Sequence, residues 1–233
     1  MKRNFLLLIT FIFLNLMIWP EESFSYMKHY QKVRPREYTF AINTMQQLYD
    51  NLSEQKYKYA LEASVIVFPE LLRYSAFRDE LETLANELKS YAPEESDGYS
   101  IGFFQMKPIF ALRMEKIIAL DLELKTKYPL LLIKDSGTSD DRIQRINRLQ
   151  DWTYQLEYLK AFCDFEIKRL KLEKEDLKIR IKYLATAYNA NMFYTREKLD
   201  KWAEYKTFPG AQKDLYFKYS EICIEAAGKV VVK

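Results

Sequence analysis

Ile143-Gln144-Arg145-Ile146-Asn147-Arg148-Leu149-Gln150-Asp151-Trp152-Thr153-Tyr154-Gln155-Leu156-Glu157-Tyr158-Leu159 places an apolar side chain at every third or fourth position. Ile143, Ile146, Leu149, Trp152, Leu156 and Leu159 then share one face of a helix. The spacing predicts one long helical stretch from Asp140 to about Leu172. Similar periods run outward from it. Tyr38 to Asn51 carries Phe40, Ile42, Met45, Leu48 and Tyr49, and Ser53 is placed to cap a second helix with Tyr57, Ala60, Leu61, Ser64, Val65 and Phe68. Asp79 to Tyr91 is amphipathic, Pro108 suits the first turn of a helix running to about Lys127, and Asp176 to Ala190 reads as another helix. The last runs from Gln212 to Ala227 and stops at Gly228. Residues 92–100 and 135–139 are loops by composition. No alternation of period two lasts long enough for a sheet, although Tyr128 to Ile133 is a brief apolar run compatible with a strand. The expected fold class is therefore all-α, with little or no sheet.

Composition narrows the function classes. The 233 residues hold 36 Lys and Arg against 33 Asp and Glu, and a net charge of +3 is too mild to argue for nucleic acid. Five glycines are too few for an all-β sandwich or a phosphate-cradling Rossmann turn. A single histidine, His29, expected at the surface, leaves no His-based triad or multi-His metal site, so no metal and no cofactor is expected. Cys163 and Cys223 each sit in an apolar helical stretch; a disulfide and two buried free thiols are equally open readings. The charge run from Glu166 to Lys182 mixes both signs, as a solvated helix-turn-helix corner does.

The N-terminus reads as an address label. Lys2 and Arg3 precede an apolar run from Phe5 to Trp19, Pro20 ends it, and Ser23-Phe24-Ser25 offers small residues for cleavage. Residues 1–25 are expected to be a secretory signal peptide, with export to the periplasm or the exterior and no stable membrane insertion afterwards. An uncleaved N-terminal anchor is the alternative, though the run is short for a bilayer span. No linker divides residues 26–233, which are expected to form one domain.

Three short segments carry chemistry. The first is Glu70, after the apolar run Val65-Ile66-Val67-Phe68-Pro69. The second is Gly102-Phe103-Phe104-Gln105-Met106-Lys107-Pro108, and the third is Ala187-Tyr188-Asn189-Ala190-Asn191. Their order resembles the soluble lytic transglycosylases, which share a fold with goose-type lysozymes. That family shows an apolar helix ending in the catalytic Glu, then a Gly-x-x-Gln-x-x-Pro element, then Ala-Tyr-Asn-Ala-Gly. Gly102, Gln105 and Pro108 match the second element in register, and Tyr188 and Asn189 match the third. Tyr194 to Trp202 resembles the helix that follows, so the resemblance covers roughly residues 54–202. It implies a lysozyme-like helical domain with inserted and added helices. Three departures stand out. Leu71, Leu72 and Arg73 replace the Ser and Asn-Pro that follow the family's Glu, Asn191 replaces the final Gly, and the gap from Glu70 to Gly102 is about twice the family's.

The chemistry can be read from the residues. Cleaving a glycosidic bond needs an acid to protonate the leaving oxygen, and a carboxyl serves near neutral pH only if its pKa is raised. Val65, Ile66, Val67, Phe68, Leu71 and Leu72 are placed to desolvate Glu70. Pro69 predicts a helix that ends or kinks beside it; if Glu70 instead opened a new helix, the dipole there would lower its pKa. The resemblance implies that Glu70 protonates the bond between N-acetylmuramic acid and N-acetylglucosamine. It then takes the proton of the muramic C6 hydroxyl as that oxygen closes a 1,6-anhydro ring. A water-using lysozyme would want a further acid, for which Asp97 is the candidate. Gly102 is expected to let backbone approach a sugar, Gln105 to bond its hydroxyl or acetamido groups, and Met106 to pack on a pyranose face. Tyr188 is expected to hydrogen-bond Glu70 and Asn189 to line the cleft, with Ser100 a further candidate. The expected partner is the peptidoglycan glycan strand, with no nucleic acid. The alternative function is a non-catalytic glycan-binding or envelope scaffold protein on the same fold.

Overall fold

Short polar side chains set several helix starts. Ser25, Asp121, Asp151, Asp176 and Thr195 each accept a hydrogen bond from a backbone N–H of the following turn, where the first amides of a helix lack partners. The computed structural model describes residues 24–77, 99–133 and 138–232, and among these it holds eleven α-helices and one two-stranded hairpin. The helices are α1 (Tyr26–Val33), α2 (Pro35–Glu54), α3 (Ala60–Ile66), α4 (Phe68–Ala76), α5 (Pro108–Leu120), α6 (Leu122–Lys127), α7 (Ser139–Gln150), α8 (Trp152–Leu170), α9 (Leu177–Asn189), α10 (Arg196–Ala203) and α11 (Tyr219–Ala227). A 3-10 turn covers Pro129–Leu131. Strands β1 (Lys206–Pro209) and β2 (Tyr216–Lys218) pair antiparallel between α10 and α11. The fold is all-α with little sheet.

One core serves the described helices. Leu48, Ile66, Phe68, Leu71, Phe104, Met114, Phe162, Leu184 and Cys223 are completely buried in a single contiguous cluster. Helix α9 packs against α11, α3 and α10, and α2 packs against α4 and α3. Burial of such side chains, each worth about 1.5–3 kcal/mol, is the main favourable term. No described helix is long and apolar enough to cross a membrane.

Several sequence expectations change in detail. The stretch from Asp140 to Leu172 is two helices, because Asp151 takes an extended backbone (φ −92°, ψ 127°) and accepts from Thr153 N at 2.7 Å and Tyr154 N at 3.2 Å. Asp121 divides the Pro108–Lys127 stretch by the same device, accepting from Glu123 N at 3.0 Å and Leu124 N at 3.2 Å. Ser53 lies inside the last turn of α2 and caps nothing that follows. Tyr128 to Ile133 is no strand: Pro129 has no amide to donate to a ladder, and a 3-10 turn forms there. The stretch Gln212–Ala227 is helical only from Tyr219, and β2 occupies part of its beginning. Cys163 and Cys223 are free and buried. His29 is half-buried: its Nε2 lies 2.7 Å from the Gly210 carbonyl oxygen, and its ring packs edge-on to Phe217. The expected signal peptide up to Ser23, the Asp79–Tyr91 helix, Asp97 and most of the 92–100 loop lie outside the described residues.

Asp151→Ala should lower the free energy of unfolding by about 1 kcal/mol, the usual worth of an N-cap, with an unchanged slope in urea denaturation.

Candidate active site

Glu70 owes its position to Pro69. Proline has no N–H to carry a helix through its position and fits the first turn of a new helix. The chain accordingly breaks at Val67 (φ −96°, ψ −2°) between α3 and α4. Glu70 sits in the first turn of α4 rather than at the end of α3. The kink near Pro69 is therefore present, but the dipole that Glu70 meets has the opposite sign from that of a helix end. A positive helix end favours the carboxylate. Burial overrides it: only 7% of Glu70 is exposed, and desolvation pushes its pKa up to about 7 against the pull of Arg73, the Tyr219 hydroxyl and Lys107.

The Gly102 segment forms a tight turn. Ile101 and Met106 pair across it, Ile101 N donating to Met106 O at 2.8 Å and Met106 N to Ile101 O at 3.1 Å. Two residues inside have left-handed backbone, Gly102 (φ 71°) and Gln105 (φ 50°). Gln105 pays about 1 kcal/mol or more for that geometry, a cost commonly found at functional sites. Its Nε2 donates to the Gly102 carbonyl at 2.7 Å, while its Oε1 is buried without a partner. Phe103 and Phe104 anchor the turn on Trp152, with ring centroids 5.3 and 5.1 Å away. Phe104 N donates to Gln155 Oε1 at 2.9 Å.

Gly102 has a different job from the one expected. A Cβ there would stand 2.2 Å from Gln155 Nε2 and 2.4 Å from the Leu149 carbonyl oxygen. The glycine lets the turn lie against the α7–α8 junction. It does not line the cleft described next.

Glu70, Ser100, Gln105, Met106, Tyr188 and Asn189 all line one cleft of about 410 Å³. The three segments, far apart in sequence, therefore meet in one place. Among the described residues Glu70 is the only acid in the lining, and Arg73, Lys107 and Arg113 are its cations. Glu70 Oε2 is buried without a hydrogen-bond partner. Among the described residues only three buried side-chain atoms share that condition, and two of them, Glu70 Oε2 and Gln105 Oε1, belong to residues of this cleft. Buried polar atoms are rarely left so, because each costs about 1–3 kcal/mol. A ligand offering donors would satisfy both.

Tyr188 stands close enough to feel the charge of Glu70, but its hydroxyl donates to the Phe104 carbonyl at 2.6 Å. It braces the turn, and its ring packs edge-on to Phe162. Asn189 is exposed at the cleft edge, its Nδ2 3.2 Å from Thr207 Oγ1. Asn191 does not use the left-handed backbone a glycine would allow; its Oδ1 accepts from Phe193 N at 2.9 Å and closes the turn instead. Met106 is 2% exposed, so little of it is offered to a ligand.

Tyr219, at the start of α11, escaped the sequence reading. Its hydroxyl donates to the Ile66 carbonyl at 2.9 Å and also contacts the Glu70 carboxyl. No motif surrounds it, and only the fold brings it 149 positions back to Glu70. No group of three His, Cys, Asp or Glu able to hold a metal occurs among the described residues. Protein-family models, curated proteins and solved structures give no match to the chain.

Two outcomes follow for stability. Glu70 binds its proton more tightly folded than unfolded, so its contribution is fully present below about pH 4.5 and is lost as pH rises through about 7. Relative to wild type, Glu70→Gln should gain stability across that window, by up to about 3 kcal/mol at pH 8.5, in urea melts at pH 4 and 8.5. Gly102→Ala should cost about 3 kcal/mol or more in the same assay, because the new Cβ meets backbone oxygen and the φ is unfavourable.

Proposed function

We propose that the protein cleaves the β-1,4 bond between N-acetylmuramic acid and N-acetylglucosamine in peptidoglycan, as a lytic transglycosylase-like enzyme with Glu70 as its acid and base. The observation that carries this reading is the Glu70 carboxyl: buried, one oxygen unpartnered, pKa raised to about 7, and the only acid among the described residues of its cleft. A carboxyl of that pKa is about half protonated at neutral pH, which suits a group that must first give a proton and then take one. The order of the three segments, resembling the transglycosylase motifs, supports the same reading.

In this mechanism Glu70 donates its proton to the glycosidic oxygen as the bond to the anomeric carbon breaks. The carboxylate so formed takes the proton of the C6 hydroxyl, whose oxygen bonds the anomeric carbon and closes the 1,6-anhydro ring. Proton and electron pairs balance without water. The substrate's own acetamido group can stabilise the positive charge, so a second carboxylate is not required. Tyr219 suits both halves of the cycle. A phenol has one proton and two lone pairs. While Glu70 is protonated, the Tyr219 proton stays on the Ile66 carbonyl and its oxygen can accept. Once Glu70 is ionised, the same proton can turn to the carboxylate. Gln105 Oε1 is placed to accept from a sugar hydroxyl or acetamido N–H.

A second reading, glycan binding without cleavage, draws support from one feature. Glu70 opens a helix instead of closing one, so part of the usual means of raising its pKa is reversed.

Export, expected from the N-terminal segment, belongs to the same proposal, since the polymer lies outside the cytoplasm. Incubating the protein with purified sacculi and weighing the products tests the reading. Anhydro-muropeptides are expected, at a rate that falls on an alkaline limb near pH 7, and Glu70→Gln should lose at least about a thousandfold. Reducing ends would indicate hydrolysis. No release, with binding retained, would favour the second reading, and a Glu70→Gln variant that still cleaves would remove Glu70 from the role.

A further inference from the structure

Glu166, near the end of α8, is completely buried, yet no step proposed above uses it. Its partner stands three residues on in the same helix. Arg169 Nε donates to Glu166 Oε1 at 3.0 Å and Arg169 Nη2 to Oε2 at 2.5 Å. A pair so spaced on a helix face adds only about 0.2–0.5 kcal/mol, whereas dehydrating a carboxylate costs several. The attraction within the pair therefore does not account for its burial. The fork leaves one nitrogen over, and that nitrogen reaches another element: Arg169 Nη1 donates to the Tyr194 carbonyl at 2.9 Å. With two nitrogens fixed by the carboxylate, the planar guanidinium has one orientation and Nη1 one direction.

Tyr194 closes the 191–194 turn that joins α9 to α10. Tyr194 N donates to the Asn191 carbonyl at 3.2 Å, and Phe193 N to Asn191 Oδ1 at 2.9 Å. Phe193 is exposed, whereas Asn191 and Met192 line the Glu70 cleft. The carbonyl that Arg169 holds thus lies two positions beyond the cleft wall. Only the oxygen of an amide can accept from a backbone N–H, so the orientation of the Asn191 side chain is settled by its bond to Phe193. Its Nδ2, with two protons and no partner among the described residues, is what Asn191 can offer a ligand. The unpartnered Gln105 Oε1 of the same cleft is an acceptor. Together they suit a group that carries both a donor and an acceptor, as an acetamide or a hydroxyl does. Asn191 also stands where the resembling element has glycine, which presents no side chain.

We infer that Asn191 is a substrate-binding residue whose Nδ2 donates to a carbonyl or hydroxyl oxygen of the amino-sugar strand, and that Glu166 and Arg169 are positioning residues that hold its turn against the cleft. The inference rests on the amino-sugar reading proposed above and adds a contact to that site. Glu166 orients the guanidinium, the guanidinium fixes the Tyr194 carbonyl, and the turn fixes the amide.

Two measurements test this: binding of a peptide-free N-acetylmuramic–N-acetylglucosamine tetrasaccharide to the Glu70→Gln protein, and hydrogen exchange of its Phe193 and Tyr194 amides without ligand. In that background Asn191→Asp keeps an oxygen for Phe193 N but loses the donor. It should leave exchange within about twofold and weaken binding about fivefold or more. Arg169→Lys cannot reproduce the fork and Glu166→Gln loses the charge, so each should speed exchange of both amides and weaken binding about threefold. Removing one member of a buried pair can unfold a protein, so a Glu166→Leu, Arg169→Met double variant removes both charges together. It should speed exchange about tenfold and bind as weakly as Asn191→Asp, and adding Asn191→Asp to it should cost little more, because both act through one contact. In the Glu70-containing enzyme these losses should fall on KM rather than kcat.

Unchanged binding in Asn191→Asp, unchanged exchange in the double variant, or no binding of the tetrasaccharide by the Glu70→Gln protein overturns the inference. If the losses appear although wild type releases nothing from sacculi, the catalytic reading fails and this one stands. If wild type cleaves and every one of these variants keeps its KM, the reverse holds.

Discussion

A carboxyl group that has lost its water is the constraint on which the rest of this site depends. Glu70 occupies the positive end of a helix and faces two cations, and both influences favour ionisation. Desolvation still wins, because Ile66, Val67, Phe68 and Leu71 around it are completely buried and Tyr188 and Tyr219 meet it from other helices. The balance is close enough to leave the group near neutrality rather than far above it. The opposing forces therefore set the proton affinity between a strong acid and a permanently neutral one, where a single group can serve in both directions.

The Gly102 turn is held from three sides for a related reason. Phe104 is locked by Trp152, by Gln155 through its amide, and by Tyr188 through its carbonyl. Gln105 can then keep a strained backbone and a buried, unpartnered side-chain oxygen, since the turn is held in place. Tyr188 gives up a direct bond to the acid in exchange for this bracing. Precision at the site comes from packing against α8 and α9 more than from bonds among the site residues themselves.

The sequence made the helical class and the convergence of Glu70, Gln105, Tyr188 and Asn189 legible, for different reasons. Helices were readable because apolar residues recur at the helical period over long windows. The breaks at Asp121 and Asp151 were not, because the apolar period runs on across each cap and a single aspartate interrupts it only through its own hydrogen bonds. The β1–β2 hairpin escaped because strands of four and three residues are too short to show alternation. Pro69 showed that the backbone must break, but not on which side Glu70 would fall. Gly102 was expected to bring backbone close to a sugar, yet its neighbour is Gln155 rather than a ligand, which only the packing of α8 reveals. Tyr219 was invisible because a lone tyrosine in a chain with eighteen carries no pattern of its own.

The bond from Tyr219 to the Ile66 carbonyl spans 153 positions. A ribosome that has completed α10 has already made Glu70, the Gly102 turn and α9, yet the phenol that completes the acid's surroundings is still unmade. Until α11 docks against α3, α4 and α9, one side of the carboxyl's surroundings is missing. Chain order thus means that the carboxyl meets its complete folded environment only when α11 arrives.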